Sequence, residues 1–146
     1  MTLDKQETLS LLFANQMLTV IASYTKMLDN DISGPQYFIL QTLAREEKIT
    51  SSQLANALGV TLSAVTNLSN KLVGKGFVER IASDTDRRLV YLKITERGRE
   101  FENRMLERYK ELTNGLWSDF TETEKDLLIA SYRKMTDRMQ TKIQTQ

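Results

Sequence analysis

Between Thr50 and Ile94 the apolar pattern changes period, and this change restricts the fold more than any other feature of the chain. Thr50-Ser51-Ser52-Gln53 has the form of a capping box, in which a hydroxyl and an amide three residues apart satisfy each other's free N–H groups. Leu54, Ala55 and Leu58 follow at helical spacing, and Gly59 supplies a tight turn. Thr61 then suits the N-cap of a second helix over 62–74, which the Gly74-Lys75-Gly76 group ends. Past Gly76 the period drops from 3.6 to 2. Phe77, Val78, Arg80 and Ile81, then Leu89, Val90, Tyr91, Leu92 and Ile94, read as two strands joined by the polar loop Ser83–Arg88. Two short helices meeting at a glycine, followed directly by a hairpin, leave few arrangements open.

The flanks are helical. Leu9, Phe13, Met17, Val20, Tyr24 and Met27 recur at steps of three and four, which predicts one long helix over 5–28 ended by Asp29-Asn30-Asp31. Ser33-Gly34-Pro35-Gln36 is a second capping box with proline in the first turn, opening a helix to about Arg45 with Phe38, Ile39, Thr42 and Leu43 inward. Thr95 caps a helix running to about Ser118, with Phe101, Met105, Tyr109, Leu112 and Leu116 on one face. Thr121-Glu122-Thr123-Glu124 opens the last helix, whose stripe is Leu128, Tyr132, Met135, Met139 and Ile143. The expected fold is mainly α with a small β-hairpin wing. A winged helix-turn-helix lobe over 33–98 is flanked by dimerisation helices over 1–30 and 100–146, and the whole of 1–146 forms a single domain.

The chain contains no cysteine and no histidine. Disulfides, thiolate or imidazole metal sites, and Ser-His-Asp or Cys-His catalysis are therefore excluded. No Asp-x-Asp-x-Asp-Gly loop offers a carboxylate cation site. The expectation is no catalytic residue, no metal and no cofactor. No apolar run approaches the roughly 18–20 residues of a membrane span. The first ten residues lack a basic segment followed by an apolar stretch, so a signal peptide is not expected and the cytoplasm is.

Net charge is +1, but it is unevenly placed. Residues 1–47 carry −3, residues 94–146 balance, and residues 48–93 carry +4. From Lys48 through Val78 there is no aspartate or glutamate at all, in a chain with 19 acids. Such a local excess of cations suits a phosphate-facing surface.

On a helical wheel Val65, Leu68 and Leu72 share one side of the second short helix. Ser63, Asn67, Asn70 and Gly74 point the opposite way, flanked by Ala64, Thr66 and Lys71. A solvated helix face ordinarily mixes glutamate with lysine; this one is short, polar and free of acids. A major groove about 12 Å wide accepts one helix, and short side chains let the backbone approach base edges. Asparagine can bind adenine through two hydrogen bonds, and serine or threonine can meet bases or phosphates. The candidate DNA-binding residues are Thr61, Ser63, Ala64, Thr66, Asn67, Asn70 and Lys71. In the loop of the hairpin, Arg87 and Arg88 can enter a minor groove, where negative potential is focused. Asp84 or Asp86 can hold one of these arginines in a bidentate pair and so serve a structural role in the wing. Which arginine is tethered stays open at this point.

These residues resemble the MarR family of bacterial transcriptional regulators over nearly the whole chain. The resemblance is carried by Leu54-Ala55…Leu58-Gly59-Val60-Thr61…Ser63-Ala64-Val65-Thr66 and by Leu72-Val73-Gly74-Lys75-Gly76-Phe77-Val78-Glu79-Arg80. It continues in Asp84…Asp86-Arg87-Arg88…Leu92…Ile94-Thr95…Gly98, which is similar to the family's wing signature with one residue fewer. The resemblance implies a homodimer binding an inverted repeat in double-stranded DNA, usually as a repressor, often released by a small aromatic or anionic ligand. Two departures stand out. Asn67 occupies a position where the family commonly has arginine, and without Cys or His the peroxide- and zinc-sensing branches do not apply.

The terminal helices carry more apolar stripe than the middle lobe can cover, which independently argues for a symmetric partner. An effector cleft is expected where the first two helices and the start of the fifth meet the winged lobe. Phe13, Met17, Tyr24, Tyr37 and Phe38 are its candidates, although the same residues also read as plain core. The alternative function is a winged-helix protein-interaction module without DNA binding, whose outward helix face would carry acidic or large apolar residues.

Overall fold

The computed structural model describes residues 2–145. In chain order its elements are α1 (Lys5–Leu28), α2 (Gly34–Arg45), β1 (Ile49–Thr50), α3 (Ser51–Leu58), α4 (Leu62–Gly74), β2 (Val78–Ala82), β3 (Val90–Ile94), α5 (Glu96–Thr113) and α6 (Glu122–Thr145). The fold is mainly helical with a small antiparallel sheet ordered β1-β3-β2, as the change of period requires. β1 pairs Ile49 with Leu92 and Thr50 with Tyr91. Two residues are too few to show a period, so this strand escapes a reading of the sequence.

The helix starts follow local chemistry. Ser33 Oγ accepts from Gln36 N–H at 3.3 Å, while Gln36 Oε1 accepts from Ser33 N–H at 2.8 Å. Thr50 and Gln53 repeat this exchange, as do Thr121 and Glu124. An unforeseen box at Asp4 and Glu7 opens α1. α1 ends with Asp29 and Asn30 both in the left-handed region, at φ 49° and 62°, where these residue types are tolerated better than most.

Ile39, Leu40 and Leu43 of α2, Leu54 of α3, Val65 and Leu72 of α4, Val78, Leu92 and Ile94 of the sheet, and Phe101 and Met105 of α5 form the core. α2 departs from expectation. Gln36, Tyr37 and Leu40 are buried, whereas Phe38 and Thr42 are only half-buried. The stripe is rotated because α2 packs against α1, α4 and α5 together, and no single helical face describes that contact. α5 stops at Thr113 rather than near Ser118, giving way to turns that include Gly115 at φ 78°.

Two glycines fix junctions. A Cβ on Gly98 would run into the carbonyl oxygen of Phe77 and lie 2.8 Å from Ile94 Cγ1, so the first turn of α5 rests directly on the base of the wing. Gly59, at φ 68°, caps α3, and Ile143 of α6 fills the space its Cβ would need. α6 is also joined to α1, through Gln16 Nε2 donating to the Tyr132 hydroxyl at 3.0 Å. Among the described residues no helix is long and apolar enough to cross a membrane.

Candidate nucleic-acid interface

α4 is held by its inner face. Val65, Ser69 and Leu72 are buried and Leu68 is half-buried, which fixes the rotation of the helix. Ser63, Thr66, Asn67, Asn70 and Lys71 are consequently exposed, and Ala64 is half-buried. Thr61 Oγ1 accepts from Ala64 N–H at 3.1 Å, so this hydroxyl anchors the helix start. Thr66 Oγ1 donates to the Leu62 carbonyl at 3.0 Å, which turns its lone pairs outward.

The wing tip is braced from within. Ser83 Oγ accepts from the N–H groups of Thr85 and Asp86, both at 3.2 Å. Asp86 Oδ1 accepts from Arg88 N–H at 3.0 Å and from Arg88 Nε at 3.2 Å. Asp86 is therefore the acid that holds an arginine, and Arg88 is the arginine held. The guanidinium stays exposed, because only Nε is engaged. Asp84, expected to share the bracing, makes no hydrogen bond among the described residues; Ser83 turns the shortened loop instead. Arg87 is exposed and has no partner among the described residues.

Arg80 was not among the candidates. Its Nη2 donates to Asn70 Oδ1 at 2.6 Å, bridging β2 and α4. A signal was available in the sequence. Strand alternation puts Arg80 on the same side as the buried Val78, toward the helices, and it pairs with Leu92. Arg80 and Arg88, with Thr66, Leu62 and the start of α3 at Thr50, Ser51 and Ser52, line a groove of about 250 Å³ between α4 and the wing. Short donors, two arginines and few acids make this surface suited to a polyanion.

A second concavity, about 500 Å³, lies between α1 and α2, lined by Val20, Ile21, Tyr24, Leu28, Pro35, Tyr37, Phe38 and Gln41 among others. Tyr24, Tyr37 and Phe38 thus come together there. Phe13 and Met17 do not line it; they lie nearer the start of α1, and α5 contributes no wall. The Tyr24 ring is 6.3 Å from that of Tyr37 and 6.2 Å from that of Tyr109. Burial pushes the Tyr37 phenol up to about 12, Glu102 and Tyr24 add to the rise, and a hydrogen bond with the Gln41 side chain opposes it. Burial also raises Tyr24, with Tyr109 adding to it. Both phenols therefore stay protonated near neutral pH. Among the described residues no cluster of three or more acids is placed to hold a metal.

Comparison with known proteins fits this geometry. The MarR family model matches residues 32–90, which spans the helix-turn-helix and most of the wing. The transcriptional repressor MprA of Escherichia coli is 34% identical over 123 residues, covering 82% of this chain and 70% of that protein. The chain belongs to the MarR family. It is therefore a DNA-binding transcriptional regulator and not an enzyme. The crystal structure of the transcriptional regulator BldR from Sulfolobus solfataricus superposes with a TM-score of 0.76 at 29% identity, covering 94% of this chain and 99% of that one. Streptococcus pneumoniae FabT, solved in complex with DNA, shares the fold with a TM-score of 0.79 at 23% identity, covering 94% of this chain and 99% of its own.

Proposed function

We propose that this MarR-family regulator is a cytoplasmic homodimeric repressor that binds an inverted-repeat operator and is released by a small aromatic or anionic ligand. The observation that carries the reading is the pairing of an acid-free, exposed polar face on α4 with a wing whose Arg88 is pre-oriented by Asp86. In this reading α4 lies in the major groove, where Asn67 and Ser63 meet base edges and Lys71 meets phosphate. Arg87 and Arg88 reach the adjacent minor groove. MprA is named a transcriptional repressor, which supports repression as the outcome of binding. Two copies of α4 related by a two-fold axis would read half-sites about one helical turn apart. The cleft between α1 and α2 suits an aromatic acid, because its walls are apolar and its two phenols are hydrogen-bond donors at neutral pH.

Selection from a pool of genomic duplexes followed by binding measurements tests this. Asn67→Ala is expected to cost about 1–3 kcal/mol on the selected site and to relax base preference there. Equal weakening on selected and scrambled duplexes would remove Asn67 from the base edges. A screen of aromatic carboxylates that neither raises the melting temperature nor releases DNA would remove the effector part.

A further inference from the structure

The hydrogen bond between Arg80 and Asn70 constrains what the recognition helix can read. At 2.6 Å it is short even for a bond with a charged donor. It also settles which end of the amide faces which way. A guanidinium has donors and no acceptor, so the atom it meets on Asn70 has to be the oxygen. Neither side chain has another hydrogen-bond partner among the described residues, and both are exposed.

What the pair still offers is donors: the amide N–H groups of Asn70 and the remaining N–H groups of Arg80. An asparagine that reads adenine donates to N7 and accepts from the N6 amino group. For Asn70 that acceptor is already bound to a cation, and an adenine amino group would have to crowd against the guanidinium. A face of donors instead matches two neighbouring acceptors, as guanine presents with O6 and N7 and as a phosphate presents with its free oxygens.

We propose that Arg80 and Asn70 act as one donor unit at the edge of α4, selecting an acceptor pair on the duplex, and that Arg80 keeps Asn70 from reading adenine. This rests on the reading that α4 lies in the major groove. It assigns a role to Arg80 and reverses the simplest expectation for Asn70.

The test is selection from a randomised duplex pool by the wild type, Asn70→Ala, Arg80→Met and the double variant, followed by affinities on the wild-type site. If the acceptor is guanine, the wild type selects guanine at one position per half-site and all three variants lose it. Arg80→Met then gains adenine there, because its asparagine has recovered a free acceptor. If the acceptor is a phosphate, base preference is unchanged and affinity for every duplex falls. In both cases each single variant loses about ten-fold and the double loses little more, because the two residues act as a unit. Losses that multiply in the double variant overturn the proposal, as does an adenine preference of the wild type that Asn70→Ala abolishes. Should Arg80→Met not fold, duplexes carrying 7-deazaguanine or a single methylphosphonate report on the wild type directly. Undiminished binding to every such duplex overturns the proposal equally. A wild type that retains no duplex at low salt removes the groove reading itself; a wild type that binds while the two residues act independently removes only the donor unit.

Discussion

Asp86 Oδ1 holds both the main-chain N–H and the Nε of Arg88, and the two bonds have different consequences. The main-chain bond survives removal of the side chain, so Arg88→Ala leaves the turn in place. An exposed ion pair contributes about 0–1 kcal/mol, so little stability is lost with it. What the pair supplies is direction for a cation. Arg88→Ala and Arg87→Ala are both expected to weaken binding on cognate and scrambled duplexes alike. Each should lower the salt slope by about one unit per subunit arm, with the melting temperature nearly unchanged. Binding titrations over a salt series check this, and unchanged slopes would take the wing off the DNA. A second residue, Tyr37, gives a pH signature. Its phenol is pushed from 10.0 to about 12 in the folded chain. Between those values the unfolded chain loses its proton first, so stability is whole below pH 10 and falls as pH rises toward 12. Tyr37→Phe is expected to flatten that alkaline decline by an amount on the order of 2 kcal/mol, read from urea denaturation at pH 9 and 11.5. At this scale the sequence was only partly legible. The exposed residues of α4 follow from a wheel, but the partners of Arg80 and Arg88 depend on a strand register and a loop turn that side-chain type alone does not set.

Elements were the most legible level, because each start is written in a few adjacent residues. Ser33 with Gln36, Thr50 with Gln53, and Thr121 with Glu124 all cap as their spacing requires. Helix ends were less so: α5 stops where Gly115 takes a left-handed turn, and nothing in the apolar stripe through Leu112 and Leu116 marks that point. The junction of the wing with α5 offers a test in which two effects oppose each other. Gly98 lies inside α5, where helix propensity alone would make alanine better by about 1 kcal/mol. Its Cβ, however, would meet the Phe77 carbonyl, and that oxygen also accepts from Thr95 N–H at 3.0 Å. Main-chain atoms cannot swing aside as a flexible side chain does. Overpacking of this kind costs about 1–3 kcal/mol, so the clash wins. Gly98→Ala is expected to lower the urea midpoint, and a raised midpoint would show that the wing yields more readily than its hydrogen bonds suggest.

The whole molecule is where the single chain is least self-sufficient. Leu9, Leu12 and Leu18 of α1, Leu112 near the end of α5, Leu116 and Trp117 of the turn, and Leu127, Met135 and Met139 of α6 are all exposed. They lie outside the winged lobe, on α1, the end of α5, the turn after it and α6, while the lobe supplies most of the buried core. Scattered apolar residues are ordinary on a surface, but this many on α1 and α6, which Gln16 and Tyr132 join, and on the end of α5 and its turn amount to a face in search of cover. A second copy related by a two-fold axis would cover it with the same residues, the commonest solution for a soluble chain. The sequence stated this part only as surplus, since a stripe shows what must be covered and not by what. Leu112→Asp and Met135→Asp each put a carboxylate into that seam, at a cost of several kcal/mol to association. Both positions are exposed in the single chain, so the lobe should still fold. The expected outcome by light scattering at micromolar concentration is a dimer for the wild type and a folded monomer for each variant. On the proposed inverted repeat, duplex affinity is expected to fall steeply in the monomeric variants, because one α4 would read only one half-site. A wild type that scatters as a folded monomer would remove the two-fold contact altogether, and aspartate variants that remain dimeric and bind as before would place it elsewhere on the molecule.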